Sequence, residues 1–307
     1  MKEIFILENE MTNQSKLENL IMKVIRDNPD KETTAIAISG GIDSNLLAIL
    51  GKYKRKFTVD LPFGPRYSET TLVPCTHIDL DTNKIREELT EAVKIIGTPI
   101  PHYNIWPFFK MCEALAKHGI TGLIVGDGPD ESMCGYTRHL IMDYLYGSFV
   151  LEPFKQYNPT IAKVLPSPQE AYAKIIGKDE VVVSSLMNTG TLVNDMCSVD
   201  MKLMRPDMTI MTNKLAGHFG ITIHRPYETP EVDEFMFNLP KQDKIHYPWG
   251  KFLLRKIAVK HLPEEVAWKV QKVGGPLCPV NQLMGWDNVG EFDKTRYLSW
   301  QKEVLGL

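Results

Sequence analysis

The stretch that most constrains this chain is Thr34-Ala35-Ile36-Ala37-Ile38-Ser39-Gly40-Gly41-Ile42-Asp43-Ser44. An apolar run of β type, Ala35 to Ile38, ends in Ser39-Gly40-Gly41. Asp43 and Ser44 then lead into an apolar helical run from Asn45 to Leu50. A strand that turns through paired glycines into a helix presents unbonded backbone N–H groups at the positive end of that helix. Glycine lets the backbone come close to an anion, and Ser39 and Ser44 add hydroxyl donors. Asp43 would repel a bare phosphate, so a Mg²⁺ ion bridging carboxylate and phosphate oxygens is expected. The GxxxxGK[ST] spacing of a Walker A loop is absent. A Gly-Gly turn alone is ordinary punctuation between strand and helix. The six residues SGGIDS after a clean strand carry more than such punctuation.

The 307 residues leave room for one large α/β domain or two modest ones, and the 43% hydrophobic and 24% charged content is that of a globular chain. A net charge of −3 and the lack of a dense Lys/Arg run give no reason to expect a nucleic-acid partner. The five cysteines, Cys75, Cys112, Cys134, Cys197 and Cys278, form no CxxC pair, which favours a reducing compartment over a disulfide framework or a zinc site. No apolar run reaches membrane-spanning length and the N-terminus lacks a signal-peptide pattern, so a cytoplasmic protein without a membrane partner is expected.

Apolar spacing predicts helices over residues 14–27, 43–50, 82–96 and 106–118, and strands over 1–8, 34–38, 57–61, 76–80 and 122–125. Strands alternating with helices imply an α/β fold with a doubly wound parallel sheet. Ligands in such sheets sit beyond the carboxyl ends of the strands. The loops after 34–38 and 122–125 are therefore expected to be neighbours. Beyond about residue 140 the chain reads as mostly helical. We expect residues 1–33 to form a strand and helix extension, 34–150 an α/β lobe, and 151–307 a helical lobe completing the site, all in one compact unit.

The loop leaving the 122–125 strand is Gly126-Asp127-Gly128-Pro129-Asp130-Glu131-Ser132-Met133-Cys134-Gly135-Tyr136. Crowding Asp127, Asp130 and Glu131 is costly unless a cation balances them, although such a loop also caps a helix well. SGGIDS resembles the pyrophosphate loop of enzymes that split ATP into AMP and pyrophosphate, and taken with it this loop resembles the G-E-G-x-D-E-x-x-x-G-Y loop of asparagine synthetases and their β-lactam-forming relatives. Three further segments extend the resemblance: His224 to Phe235, which is similar to R-x-P-[FY]-x-x-x-x-[LV]-x-x-F; Gly250-Lys251-Phe252-Leu253-Leu254-Arg255, similar to G-K-x-x-L-R; and Leu262 to Val266 followed by Lys272-Val273-Gly274. The resemblance runs from about residue 34 to 275, and residues 276–307 carry no assignment.

The resemblance implies ATP and Mg²⁺ as cofactors and a role for each matched residue. Ser39, Gly40, Gly41 and Ser44 would hold the β- and γ-phosphates, and Asp43 and Asp130 the Mg²⁺ on the pyrophosphate. Gly126 would lie near the adenosine, with the backbone from Ile36 to Ile38 on the adenine. Lys251 and Lys272 would neutralise charge as pyrophosphate leaves. Asp127 stands where the family has a glutamate that orients the reacting centre or accepts a proton. Outside the motif context both lysines would read as surface residues. Arg225 and Arg255 are expected to pair with acidic groups, and Tyr136 serves either packing or substrate contact.

The implied reaction is adenylation of a carboxylate, by resemblance aspartate, followed by amide formation with ammonia or an amine. Other carboxylates in peptides, nucleotides or natural products, and a non-catalytic nucleotide-binding role, stay open. Glutamine-dependent members begin with a nucleophilic cysteine, whereas Lys2 follows Met1 here and no cysteine precedes Cys75. Nitrogen is therefore expected as free ammonia, from a separate glutaminase subunit, or as a substrate amine. The span from Phe57 to His77 is short for the family, so a helix usual there is expected to be missing. The sequence leaves the oligomeric state open.

Overall fold

The computed structural model describes residues 12–27, 30–60, 74–147, 166–269, 284 and 294–307. The strand expected over 1–8, the stretch 62–69 and Lys272 lie outside them.

Apolar spacing builds the first helix, α1 (Asn13–Arg26). Thr12 caps it by accepting from the Ser15 amide, and Leu17, Ile21 and Ile25 bury one stripe completely or nearly so. The strand β1 (Thr34–Ala37) follows, then α2 (Ile42–Gly51) and β2 (Arg55–Asp60). The strand β3 (Thr76–Asp79) leads through a short 3₁₀ turn into α3 (Ile85–Ile96), which stops at Gly97 with φ +73°. The helix α4 (Ile105–Lys117) and the strand β4 (Gly122–Ile124) complete the expected alternation. Ala35 and Ile36 are both without exposed surface, as befits an interior parallel strand covered on both faces.

Five of the described strands, the last of them β5 (Thr222–His224), form one sheet in the order β3-β2-β1-β4-β5, and every pairing within it is parallel. The fold class is thus α/β with a doubly wound parallel sheet, as expected. The strand β5 (Thr222–His224) was not foreseen in the sequence, and it pairs beside β4. Strand order reverses between β1 and β4, which makes the crevice beyond their carboxyl ends the natural ligand position.

One apolar cluster packs Ile36, Ile38 and Ile124 against α1, α2 and Leu253, Leu254 and Ile257. On the opposite face Ala35, Leu123 and Val125 pack with Cys112, Leu115 and Ala216. A third cluster, containing Tyr172, Val183, Met196 and Cys197, is the core of the helical segment after residue 166.

The segment left unassigned at the C-terminus contains a helix, α5 by our numbering of the principal elements (Lys294–Leu305), packed on α3. Its Gln301 has no exposed surface. The side-chain amide donates to the Ile100 carbonyl at 2.9 Å, and the side-chain oxygen accepts from the Ile100 amide at 2.8 Å. Gln301→Ala strands both backbone groups, and we expect a loss of about 1–3 kcal/mol, read as a lower denaturant midpoint in equilibrium unfolding.

Burial pulls His102 down to about 4, partly opposed by the charge of Asp207. Its Nδ1 accepts from the Asn104 amide at 3.2 Å, so the neutral ring is the folded form. Because the folded value lies below the ordinary 6.5, this contribution is present in full above pH 6.5 and drains away as the pH falls toward about 4. Melting curves between pH 4 and 7 should therefore fall less steeply for His102→Asn, which keeps an acceptor without the titrating ring.

Candidate active site

Gly40 provides the turn out of β1 in a left-handed conformation with φ +69°, and Gly41 begins α2 without a side-chain cap. The Ser39 amide donates to Ser44 Oγ at 3.2 Å, and the two hydroxyl oxygens are also 3.2 Å apart. The loop is thus folded back on itself, with small polar groups beside the amides at the helix start. Asn45 donates to the Gly41 carbonyl at 2.9 Å and braces the same turn.

The loop after β4 meets this turn directly, as the parallel-sheet argument requires. A methyl group added at Gly126 would lie 3.0 Å from the Ser44 amide nitrogen and 3.3 Å from Asp43 Cβ. The two loops therefore touch through backbone at a position where a larger residue would force them apart.

Lys251 joins the loops. Its buried ammonium lies 2.7 Å from Asp43 Oδ2 and 2.9 Å from Asp130 Oδ1. The Lys251 backbone adopts φ +53°, and its amide donates to the Met133 carbonyl at 2.9 Å. The acidic loop thus holds the lysine by main chain as well as by charge. Asp43 Oδ1 is buried and accepts no hydrogen bond from any described residue. The Tyr227 hydroxyl donates to the Asp43 carbonyl at 3.1 Å and fixes that residue from behind.

Of the residues expected in the site, the structure brings Ser39, Gly40, Gly41, Asp43, Ser44, Gly126, Asp130 and Lys251 to one edge of the sheet, with Ile36 and Ile38 in the strand below. Asp127 sits on the rim, with its carboxylate 3.9 Å from Arg225 Nε. Arg225 also approaches Glu228 at 3.7 Å, so its acidic neighbours are as expected. Arg255 requires a correction. Its hydrogen bonds go to the carbonyls of Gly250, Ala267 and Lys269, at 2.9, 2.7 and 3.0 Å, because these groups converge on its buried guanidinium. Asp43 and Asp130 act on it only through their charge, against the desolvation that lowers its pKa.

Several supports of the site are invisible to motif reading. The Tyr136 hydroxyl donates to Glu131, and the Arg138 guanidinium lies 3.8 Å over the Tyr136 ring. Burial first, and then the charges of Glu131 and Asp130, push the Tyr136 phenol far up. Arg138 is held by Asp200, which also takes hydrogen bonds from Tyr172 and His139 at 2.8 Å. Desolvation works against the Asp200 anion, yet these donors hold it below the usual range. Arg205 grips Asp233 and reaches the Gly128 carbonyl at 3.4 Å, anchoring the acidic loop to the helical segment. The partners of Asp200 and Arg205 lie 28 to 77 residues away along the chain, and no local pattern announces them.

A strand, a doubly glycine turn and a downstream acidic loop, clamped by one lysine at the switch point of a parallel sheet, fit the adenine nucleotide α hydrolase-like fold. The chain matches the asparagine synthase family over residues 30–303 and belongs to that family, whose members use ATP to form amides. No curated protein matches the chain significantly. Among the described residues no helix is long and apolar enough to cross a membrane.

Close packing at the clamp gives a test. A methyl group at Gly250 would lie 1.9 Å from the Cys134 carbonyl oxygen, a backbone atom that cannot swing aside. At Gly135 the nearest atom, 2.0 Å away, is Asp130 Oδ1 at the end of a side chain. We expect Gly250→Ala and Gly135→Ala each to cost about 1–3 kcal/mol in unfolding free energy, with Gly250→Ala the larger loss.

Proposed function

We propose that this protein transfers AMP from ATP to a carboxylate with release of pyrophosphate, and then passes the acyl group to ammonia or an amine. The observation that carries this reading is the Lys251 ammonium held between Asp43 and Asp130, beside the uncapped helix start in the SGGIDS turn. Anionic phosphates fit a helix start with glycine backbone, and a buried cation at that spot compensates charge that builds on a leaving pyrophosphate.

In this reading Ser39, Gly40, Gly41 and Ser44 take the β- and γ-phosphates through amides and hydroxyls. Gly126 and the backbone from Ile36 to Ile38 border the adenosine. The substrate carboxylate attacks the α-phosphorus, the bond to the bridging oxygen breaks, and an acyl-adenylate and pyrophosphate result. Lys251, together with Lys272, stabilises the departing charge. The nitrogen nucleophile then displaces AMP, and Asp127 receives or directs the proton it loses. Arg225 beside Asp127 keeps that carboxylate oriented at the rim.

The residues present suit Mg²⁺. Asp43 Oδ1 is a buried acceptor with no hydrogen-bond partner among the described residues, and Asp130 stands across the same lysine. No group of three or more ligating side chains gathers among the described residues. Two carboxylates with phosphate oxygens and water make up the kind of set that Mg²⁺ takes. The ion would neutralise phosphate charge and hold the pyrophosphate in its leaving geometry.

Aspartate is the first substrate to try, on family grounds. Purified protein given Mg-ATP, aspartate or a panel of other carboxylates, and either ammonium or glutamine, should release AMP and pyrophosphate together only when an accepted carboxylate is present. Production of ADP and phosphate instead would contradict the reading. Asp43→Asn and Lys272→Ala should each lower pyrophosphate release by about 10²-fold or more while circular dichroism stays unchanged. An active Asp43→Asn enzyme would remove the metal assignment.

A further inference from the structure

Away from the lysine clamp, a cluster among the described residues joins a nucleophile to a base. It arises from strand register: β2 and β3 run parallel with Thr58 opposite His77 and Asp60 opposite Asp79. Side chains alternate along a strand, so His77 shares a face with Thr58 and Asp60, and Cys75, two residues before it, lies on that face as well. The contacts agree. His77 Nδ1 is 3.0 Å from Asp60 Oδ2, and Cys75 Sγ is 3.8 Å from His77 Nε2.

The order of these groups sets their chemistry. An ionised carboxylate only accepts, so Nδ1 of the imidazole carries the hydrogen and Nε2 of the neutral ring offers a lone pair. The Cys75 thiol donates to that lone pair. A buried carboxylate that fixes ring and tautomer, an imidazole that takes the proton and a thiol as nucleophile together make an activated arrangement. The Asp60 side chain is 3% exposed, whereas that of His77 is 41% exposed and Cys75 is partly so. The reactive end of the relay is therefore the end that a dissolved molecule can reach. On the same face Thr58 Oγ1 is buried and makes no hydrogen bond among the described residues. By contrast Cys112, Cys134 and Cys197 are buried, and burial pushes the Cys112 thiol up to about 12.

The geometry points to Cys75 as a base-activated thiol that undergoes exchange with low-molecular-weight disulfides. The Cys75 proton passes to His77 Nε2, and Sγ attacks one sulfur of the external disulfide. A new S–S bond forms as the old one breaks, and the departing thiolate takes the proton back from His77. Cys75 ends as a mixed disulfide and one small thiol is released, so atoms and electrons balance without another reactant.

The test uses the full chain with oxidised glutathione at pH 7, followed in time by peptide mass spectrometry, and compares the wild type with Cys75→Ser and His77→Asn. Glutathione should appear on the Cys75 peptide, and Cys75→Ser should abolish it there. His77→Asn should slow its formation roughly tenfold or more, as expected for loss of a general base. The His77 side chain is 41% exposed, and a melting curve checks that the variant is folded. Equal rates at Cys75 in wild type and His77→Asn would overturn the proposal, as would faster modification of Cys112, Cys134 or Cys197. None of these readouts depends on ATP turnover.

Discussion

An ammonium shared by two carboxylates out of water is the interaction on which this molecule's architecture turns. Asp43 comes from the first turn of α2, Asp130 from the loop after β4, and Lys251 from more than a hundred residues further along the chain. Burying ions costs several kcal/mol each, and the cost is recovered only when geometry and surrounding hydrogen bonds are good. Here the Lys251 main chain is tied to Met133, Asp43 is backed by Tyr227, and the buried Arg255 adds a second positive charge. With Arg255 counted, two positive and two negative side chains balance formally. Main-chain bonds at the Lys251 amide and the Asp43 carbonyl fix the backbones that carry the pair.

The parallel sheet supplies the rest. With β1 and β4 as neighbours, both loops leave the same edge; glycine at 126 lets them close to van der Waals distance, and glycine at 135 leaves room for the side chains of Asp130 and Lys251. The helical segment then acts as a buttress. Asp200 holds Arg138, which lies over Tyr136, whose hydroxyl is tied to Glu131 on the acidic loop. Arg205 makes a parallel connection through Asp233 and Gly128. The acidic loop is therefore braced from the sheet side and from the helical side.

Much of this was legible in the residues. The alternation up to Ile124 followed from apolar spacing and glycine punctuation, because each element buries a regular stripe or a continuous run. The proximity of SGGIDS and GDGPDE followed from topology alone, since parallel strands release their loops on one edge. The strand β5 escaped notice because its three residues, Thr222-Ile223-His224, are too short for a period to show. Arg255 misled in the other direction. A cation in a motif suggests acidic partners, but three carbonyls converge on it once the chain turns around Gly250 and Ala267. The link from Asp60 to His77 likewise depends on strand register, which sequence spacing does not carry.

Pyrophosphate–ATP isotope exchange tests the central claim most directly. The clamp at Lys251 is read as serving reversible release of pyrophosphate from an acyl-adenylate, a step that precedes the nitrogen donor. Labelled pyrophosphate should enter ATP when Mg²⁺ and an accepted carboxylate are present, with no ammonia or amine added. Exchange that requires the nitrogen donor, or that runs equally well without any carboxylate, would contradict the account.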